Sequence, residues 1–164
     1  MGIFVNKNND FTVDVYYVID KKDEVHVLSK EDVESLKKSP EEKKKIVSDQ
    51  EDDRQSEIPF NVPADLMKYE EKDIRKASVK FRKPAFDDMP VMMSSFTSGN
   101  FSNMSPGDLF EFNNRRLRLL FKKGEAQDGE GKPIKLDQNN ISDLSPALGT
   151  AIALGMNEFM SMNN

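Results

Sequence analysis

The sequence predicts an α+β protein in which a small N-terminal module containing a β-hairpin precedes a mainly helical C-terminal module. Three observations support this prediction. Strand-favouring residues cluster at positions 11–19, charged residues dominate positions 20–53, and most helix-start signals come after Pro84. We divide the chain at residue 70, into residues 1–70 with the hairpin, charged helices and an acidic linker, and residues 71–164 with the helical module.

The hairpin is predicted from a run of β-branched and aromatic residues that a polar turn separates from a second, shorter run. Residues 11–19 (FTVDVYYVI) carry Asp14 as their only charge, and Asp20 to Asp23 supply the turn. Residues 24–28 then alternate between polar and apolar side chains. Two such runs joined by a short polar turn are typical of a β-hairpin.

Two helix-start signals and an acidic stretch follow the hairpin. Ser29 is positioned to cap a short helix, and Ser39 precedes Pro40 and two acidic residues, which suit the first turn of a helix. The segment at 48–57 (SDQEDDRQSE) is predicted to be a solvated acidic linker. The alternative is an acidic segment that binds a basic partner. Residues 58–63 are predicted to be extended.

The remaining elements are predicted from caps, prolines and glycines. Positions 74–81 alternate weakly and indicate a strand, and the stretch after Pro84 is helix-like but interrupted at Pro90. A longer helix is predicted to start at Ser105 and to run to Lys123, with Gly124 as its C-terminal cap, and a loop follows at 124–132. Ser145 starts a last helix that continues to about Met160.

Composition excludes most catalytic and metal-binding classes. The 164 residues include no Cys and a single His, and the formal net charge is −5. Thiolate nucleophiles, disulfides and Cys/His zinc sites are therefore excluded, and a negative chain is a poor general binder of nucleic acid. We expect a non-enzymatic protein with no cofactor, no metal and no catalytic residues, and nucleic acid is an unlikely partner on the same ground.

The sequence also carries no recognisable targeting or membrane signal. The N-terminal residues lack the basic region and apolar run of a signal peptide. The longest uncharged apolar stretch, from Ser145 to Asn157, is shorter than the roughly 20 residues that a membrane-spanning helix needs. We therefore expect a cytoplasmic protein that does not bind membranes.

Two local features invite a chemical interpretation and do not support one. The loop Asp128-Gly129-Glu130-Gly131-Lys132 lacks the ligand spacing of a calcium loop, and Pro133 stands where a phosphate-binding loop has Ser or Thr. It is predicted to be an ordinary turn. His26 lies between Val25 and Val27, so the two-residue period of a strand turns it toward solvent.

The last predicted helix carries the clearest binding candidate. Apolar residues recur at three- and four-residue steps and form one stripe: Leu144, Leu148, Ile152, Met156 and Phe159. Small residues at four-residue intervals, Ala147, Ala151 and Gly155, permit close approach of another helix. The stripe has two interpretations, an intrachain core or an interface with another copy or a client. We favour the interface and assign partner binding to Leu148, Ile152, Met156 and Phe159.

Methionines and arginines supply further partner-binding candidates. Met92 and Met93 belong to a methionine-rich segment, and thioether side chains adapt to several partner shapes, although methionine also fills ordinary cores. Arg115 and Arg118 belong to a basic cluster interleaved with apolar residues. They favour contact with an acidic partner, unless they only complement the C-terminal dipole of the helix.

Half of the chain resembles a known family. Four motifs carry the resemblance: VKFRKPAF from residue 79, the charged stretch FNNRRLRLLFKK from residue 112, the loop Asp-Gly-x-Gly-Lys-Pro from residue 128, and DQNNISDLSPALGTAI from residue 137. Residues Val79 to Phe159 are thus similar to phage tail assembly chaperones, including baseplate-hub assembly proteins of contractile-tailed phages. That family often carries a tryptophan before the Asp-Gly loop, where this chain has Gly124-Glu125-Ala126.

The resemblance implies a cytoplasmic assembly factor, made in an infected bacterium, that forms homo-oligomers and binds a tape-measure or baseplate-hub protein. It also implies that no active site is present. The alternative is a structural subunit of the virion, such as a baseplate, neck or connector protein that stays in the particle.

Overall fold

The computed structural model describes residues 9–39, 41–42, 64–93 and 105–162, and the predicted acidic linker at 48–57 and extended segment at 58–63 lie outside them. The strands are β1 (Asp10–Ile19), β2 (Val25–Leu28), β3 (Arg75–Arg82), β4 (Phe121–Gln127) and β5 (Pro133–Leu136). The α-helices are α1 (Lys30–Leu36), α2 (Met89–Met93), α3 (Pro106–Leu120) and α4 (Pro146–Met162). Short 3-10 turns lie at Ala64–Lys68, Glu71–Asp73, Phe86–Asp88 and Asn140–Asp143. The predicted α+β class is confirmed.

All five strands form one antiparallel sheet in the order β2-β1-β3-β4-β5. The predicted hairpin is present as β1 and β2, with Ile19 opposite Val25. The strand predicted at 74–81 is β3, and it pairs with β1 from Asp10 opposite Arg82 to Tyr17 opposite Arg75. Strand β1 was predicted from its β-branched and aromatic residues and β3 from a weak alternation, and in the structure buried residues alternate with more exposed ones along most of both strands because one face of the sheet is buried.

The sheet joins the two predicted modules. Strands β1 and β2 come from residues 1–70, whereas β3, β4 and β5 come from residues 71–164. The boundary at residue 70 therefore falls between strands that pair directly. Residues 1–70 and 71–164 share one sheet and one hydrophobic core rather than forming separate modules.

Helix α4 covers one face of the sheet and closes the main core. The buried residues of this core come from β1, β3, β4, β5, α3 and α4 and include Val13, Val79, Phe81, Leu120 and Ile152. A Cβ built on Gly155 would lie 2.5 Å from Val13 Cγ1, so glycine allows the helix to rest directly on β1. The small residue at position 155 thus permits close approach of a strand of the same chain.

A second, smaller apolar cluster lies on the opposite face of the sheet. It contains Val18 and Leu28 from the hairpin, Val33 and Leu36 from α1, and Leu66 with Met67 from the first 3-10 turn. This cluster covers one end of β1, and the remainder of that face carries polar and charged side chains such as Asp14, Lys80 and Lys123. Helix α1 and the first 3-10 turn thus pack on the sheet through this small cluster.

The predicted helix starts are confirmed by their hydrogen bonds. Ser29 Oγ accepts from the Asp32 backbone N–H at 3.1 Å, and the Asp32 carboxylate accepts from the Ser29 N–H at 2.9 Å. The same reciprocal pair occurs between Ser105 and Asp108. Ser39 and Glu42 exchange longer bonds of 3.3 and 3.4 Å. Each capping box satisfies two backbone donors that the first helical turn leaves free.

The prediction that the long helix continues to Lys123 is wrong. Helix α3 ends at Leu120, and Phe121 begins β4, where Gly124 is an interior strand residue and not a helix cap. A Cβ on Gly124 would lie 3.2 Å from both Ser78 O and Val79 Cγ1 of β3, so glycine is required by this close approach. Pairing with β3 and β5 overrides the helical tendency of this segment.

Candidate protein-binding surface

The apolar stripe predicted to bind a partner is buried within the chain. Ile152 and Met156 are 0% exposed and Leu148 is buried as well. Phe159 stacks on Phe11 of β1, with 4.4 Å between ring centroids and 10° between ring planes. The interpretation of the stripe as an interface is therefore wrong. It supplies the apolar layer that the sheet needs on this face, which is the commoner role of an amphipathic helix.

The other candidate residues separate into buried and accessible ones. Met92 is buried, so its assignment to a partner surface is also wrong, and the side chain of Met93 lies outside the described residues. Arg115 and Arg118 are exposed on α3. These two arginines are positioned where a partner can reach them.

The basic cluster contains a buried arginine that the sequence did not single out. Arg116 is 3% exposed, and its guanidinium donates to the side chains of Asn157 and Asn113 and to Ala153 O at 3.1 Å. It also lies over the ring of Phe112. None of these partners is a carboxylate, and Nε has no acceptor among the described residues. Burial therefore lowers the pKa of Arg116.

Exposed apolar side chains are concentrated on the 3-10 turn before α2, on α2, and on the first half of α3. We call the following five residues the apolar patch: Phe86, Met89, Val91, Leu109 and Phe110. Helix α2 packs against α3, which brings the two parts of the patch onto neighbouring elements. Phe86 is 89% exposed and Leu109 is 48% exposed. The buried residues of α3 all lie in its second half: Arg116, Leu117 and Leu120. The first half of α3 is therefore not part of the core.

A groove lies beside this patch, between α3 and the start of α4. Its lining carries no ionisable side chain and comprises Phe110, Asn113, Asn114, Leu117, Ile141, Ser142, Leu144, Ser145, Pro146, Gly149 and Thr150. Phe110 belongs to both surfaces. Gly149 leaves its part of the groove open, because a Cβ built there meets no atom within 4 Å. We call this cleft the α3–α4 groove.

The single histidine takes part in a local cluster at the hairpin turn. His26 Nε2 lies 2.9 Å from Asp20 Oδ2, and one ligand atom each from Asp20, Glu24 and His26 lies within 4.8 Å of the other two. His26 is partly exposed, in line with the prediction from the strand period, and it is also hydrogen-bonded to Asp20, which the period alone does not predict. The sequence contained a signal for this contact, because Asp20 begins the turn between β1 and β2 and His26 lies on β2. Such a set of one nitrogen and two oxygen donors suits a divalent cation of the zinc type.

The Asp20 carboxylate is primarily a turn-forming group. Its Oδ1 accepts from the backbone N–H groups of Lys22 and Glu24 at 2.8 and 3.0 Å. The hydrogen bond from His26, followed by these backbone bonds, lowers the pKa of Asp20 to about 2. Asp23 adopts a φ of 61°, which short polar residues tolerate in tight turns. The cluster therefore closes the hairpin.

The loop at residues 128–132 is an ordinary turn, as predicted. Asp128 Oδ1 accepts from the N–H groups of Glu130 and Lys132, each at 2.9 Å, and Gly131 adopts a φ of 83°. Arg75 donates to Asp128 O and Gly129 O and fixes the turn against β3. The Asp128 carboxylate is thus occupied in holding the turn.

No family model, no curated protein and no solved structure matches this chain. Among the described residues, every helix is too short or too polar to cross a lipid bilayer.

Proposed function

We propose that this protein is a non-enzymatic assembly factor that binds a protein client through the apolar patch. The client class is the tape-measure or baseplate-hub protein of a phage tail, as the motifs between Val79 and Phe159 imply. The observation that carries the proposal is the concentration of exposed apolar side chains on α2 and α3. Exposed apolar side chains gathered on neighbouring elements are typical of a site for another protein.

The patch has the composition of an interface. It contains two phenylalanines, Phe86 and Phe110, together with Met89, and aromatic residues and methionine are enriched where proteins bind one another. Removing one such side chain from water is worth about 1.5–3 kcal/mol. A client that covers the patch therefore gains binding energy from side chains that the fold itself leaves in water.

The exposed arginines of α3 add charge selectivity to this surface. Arg115 and Arg118 lie on the same helix as Leu109 and Phe110. Positive charges at the rim of an apolar contact speed association with a partner of opposite charge and disfavour partners of like charge. A client segment that combines apolar and acidic residues fits this arrangement best.

The test is co-expression of the chain with a tagged tape-measure or hub protein, followed by co-purification. We expect Leu109→Asp to abolish capture while the thermal midpoint stays unchanged, because Leu109 is already exposed. The matched control is Ile134→Asp on β5, which is 45% exposed against 48% for Leu109 and lies outside the patch. Equal loss of capture in both variants, or in neither, would contradict the proposed role of the patch.

Mass spectrometry of purified particles separates an assembly factor from the alternative, a structural virion subunit. A factor that leaves before completion of the tail is absent from the particle. Stoichiometric retention would assign the chain to the virion instead, and the cytoplasm of the infected cell would then be only its place of synthesis.

A further inference from the structure

The two hairpins of the sheet, β1–β2 and β4–β5, close with the same turn. The Asp20 N–H donates to Glu24 O at 3.0 Å, and Asp20 Oδ1 accepts from the N–H groups of Lys22 and Glu24. Asp128 makes the same three hydrogen bonds with the residues two and four positions further along the chain. The third residue after each aspartate has a positive φ, of 61° in the first turn and 83° in the second. The second turn therefore shows which features the first turn needs in order to close.

The two hairpins differ in the side chains four and six positions after the aspartate. Glu24 and His26 occupy these positions in the first hairpin, and Lys132 and Ile134 occupy them in the second. Because the second turn closes without a carboxylate or an imidazole there, closing the turn does not require the side chains of Glu24 and His26. What these side chains add to the first hairpin is two ligand atoms that converge on Asp20.

The three side chains are arranged as ligands around one point. His26 Nε2 lies 2.9 Å from Asp20 Oδ2, and the ligand atoms of Asp20, Glu24 and His26 all lie within 4.8 Å of one another. Two ligands of one zinc ion, each ~2.0–2.1 Å from the metal, lie about 3.0–3.4 Å apart, depending on the angle between them. Glu24 is exposed, and its side chain makes no hydrogen bond or ion pair among the described residues. A rotation of this side chain therefore closes the remaining distance.

The Asp20 carboxylate is oriented for binding an ion. Its Oδ1 is occupied by two backbone N–H groups, which leaves Oδ2 directed at His26. Carboxylates that bind metal ions are themselves held by hydrogen bonds in this way. The site is also accessible, since the side chains of His26 and Asp20 are 36% and 18% exposed. An entering ion replaces the hydrogen bond between these two side chains.

We propose that Asp20, Glu24 and His26 bind a divalent transition-metal ion of the zinc type, which ties the turn to β2. One imidazole nitrogen and two carboxylate oxygens suit zinc, with water as a further ligand, whereas Mg²⁺ and Ca²⁺ take oxygen ligands. The absence of Cys and of a second His led us to expect no metal, and this site needs neither. The inference goes beyond the client-binding role and does not depend on it.

Titration calorimetry with zinc chloride tests the site. The full chain is used without a polyhistidine tag, after a chelator has removed bound metal. We expect saturable binding of one zinc ion per chain. Zinc at about 100 times its Kd is expected to raise the thermal midpoint by several degrees, because the ion binds the folded arrangement of the three ligands. Magnesium chloride at the same concentration leaves the thermal midpoint unchanged, because Mg²⁺ loses its water ligands reluctantly.

Two variants remove one ligand each. His26→Gln and Glu24→Gln are each expected to weaken zinc binding at least about tenfold, since even residues that only orient a metal ligand are worth about 10–100-fold in affinity. Glu24→Gln preserves the turn, because Glu24 takes part in it only through its backbone. This variant keeps the test decisive if His26→Gln fails to fold. The matched control is Glu130→Gln, an exposed carboxylate of the second turn, which leaves zinc binding unchanged.

Proton NMR identifies the nitrogen ligand directly, because His26 is the only histidine in the chain. One equivalent of zinc is expected to shift the ring resonances of His26 in the wild-type chain and in Glu130→Gln. One equivalent of magnesium leaves these resonances in place.

Three results would overturn the inference: no saturable zinc binding by the wild-type chain, binding that either ligand variant retains at full strength, or zinc binding that leaves the His26 resonances in place. Equal stabilisation by magnesium would reject a zinc-type ion. Client capture is a separate measurement, since the turn lies outside the apolar patch. Glu24→Gln is expected to capture the client as the wild-type chain does, so failure of the proposed function leaves the metal site standing.

Discussion

Helices α3 and α4 are similar in length and differ in how they contact the rest of the molecule. Helix α4 lays an apolar stripe from Leu148 to Phe159 along the sheet. Helix α3 buries only its second half, where Arg116, Leu117 and Leu120 face the core, and leaves Leu109 and Phe110 in water. The periodic stripe, which is the stronger sequence signal, marks the core. The apolar residues that interrupt a polar helix surface, Leu109 and Phe110, belong to the surface proposed above to bind a partner.

The largest effect is expected from a charge in the α4 stripe. Ile152→Glu places a carboxylate at a position that is 0% exposed and lies within the main apolar core. We expect a loss of more than about 4 kcal/mol in the free energy of unfolding, enough to unfold the chain.

The control for this variant is Leu154→Glu, two residues along the same helix. Leu154 is 57% exposed, so the same substitution leaves the thermal midpoint nearly unchanged. Circular dichroism melts of both variants give the comparison. A folded, cooperative Ile152→Glu protein would show that α4 is not part of the core.

A smaller effect is expected at the contact between the two helices. Arg116→Ala leaves the carbonyl oxygens of Asn113, Asn157 and Ala153 without their donor. We expect a loss of about 2–4 kcal/mol in the free energy of unfolding, measured by urea titration. Arg118→Ala on the exposed side of α3 changes stability by less than about 0.5 kcal/mol. Equal effects at both positions would mean that α3 does not dock through Arg116.

The two glycines of α4 lie in different surroundings: Gly155 contacts the core and Gly149 lines the groove. Gly155→Ala brings a methyl group to about 2.5 Å from Val13 Cγ1 and is expected to cost about 1–3 kcal/mol. Gly149→Ala meets no atom within 4 Å and gains up to about 1 kcal/mol, because alanine favours the helix. Opposite signs in thermal unfolding are therefore expected. A gain at both positions would place α4 farther from β1 than the structure has it.

The smallest effect is expected at the hairpin turn, far from both helices. Because hydrogen bonds lower the pKa of Asp20 to about 2, its carboxylate stabilises the fold at neutral pH. That contribution is lost as pH falls from about 4 to about 2, where the carboxylate becomes protonated in the folded chain. Asp20→Asn should flatten this part of the acid-unfolding curve.

The control for the acid titration is Asp87→Asn, which removes an exposed carboxylate that has no hydrogen bond among the described residues. This substitution leaves the hydrogen bonds of the hairpin turn in place and so controls for the loss of one exposed carboxylate. If Asp20→Asn leaves the slope of the acid-unfolding curve as it is in the wild-type chain, the turn does not contribute through this carboxylate.

Local signals were sufficient to predict much of the fold. Strands β1 and β3 alternate between buried and exposed residues, and Ser29 and Ser105 are followed at the third position by an acidic residue that completes a capping box. These features depend on residues close together in the chain. Strand β4 escaped prediction because its buried residues, Phe121 and Ala126, do not alternate and its bulge beside Lys80 breaks the register.

The sequence by itself determined the class of the protein, the hairpin, the helix starts and the existence of a last helix with an apolar stripe, from Ser145 to about Met160. Only the tertiary structure decided what that helix faces. Burial of an apolar stripe is favourable whether the stripe packs on its own sheet or on a partner, because the hydrophobic effect is non-directional. Which of the two surfaces it packs on depends on whether the chain itself offers a complementary surface. Here β1 and β3 offer one, with Gly155 admitting Val13 at close range. The apolar residues of α3 that do not pack on the sheet, Leu109 and Phe110, remain exposed.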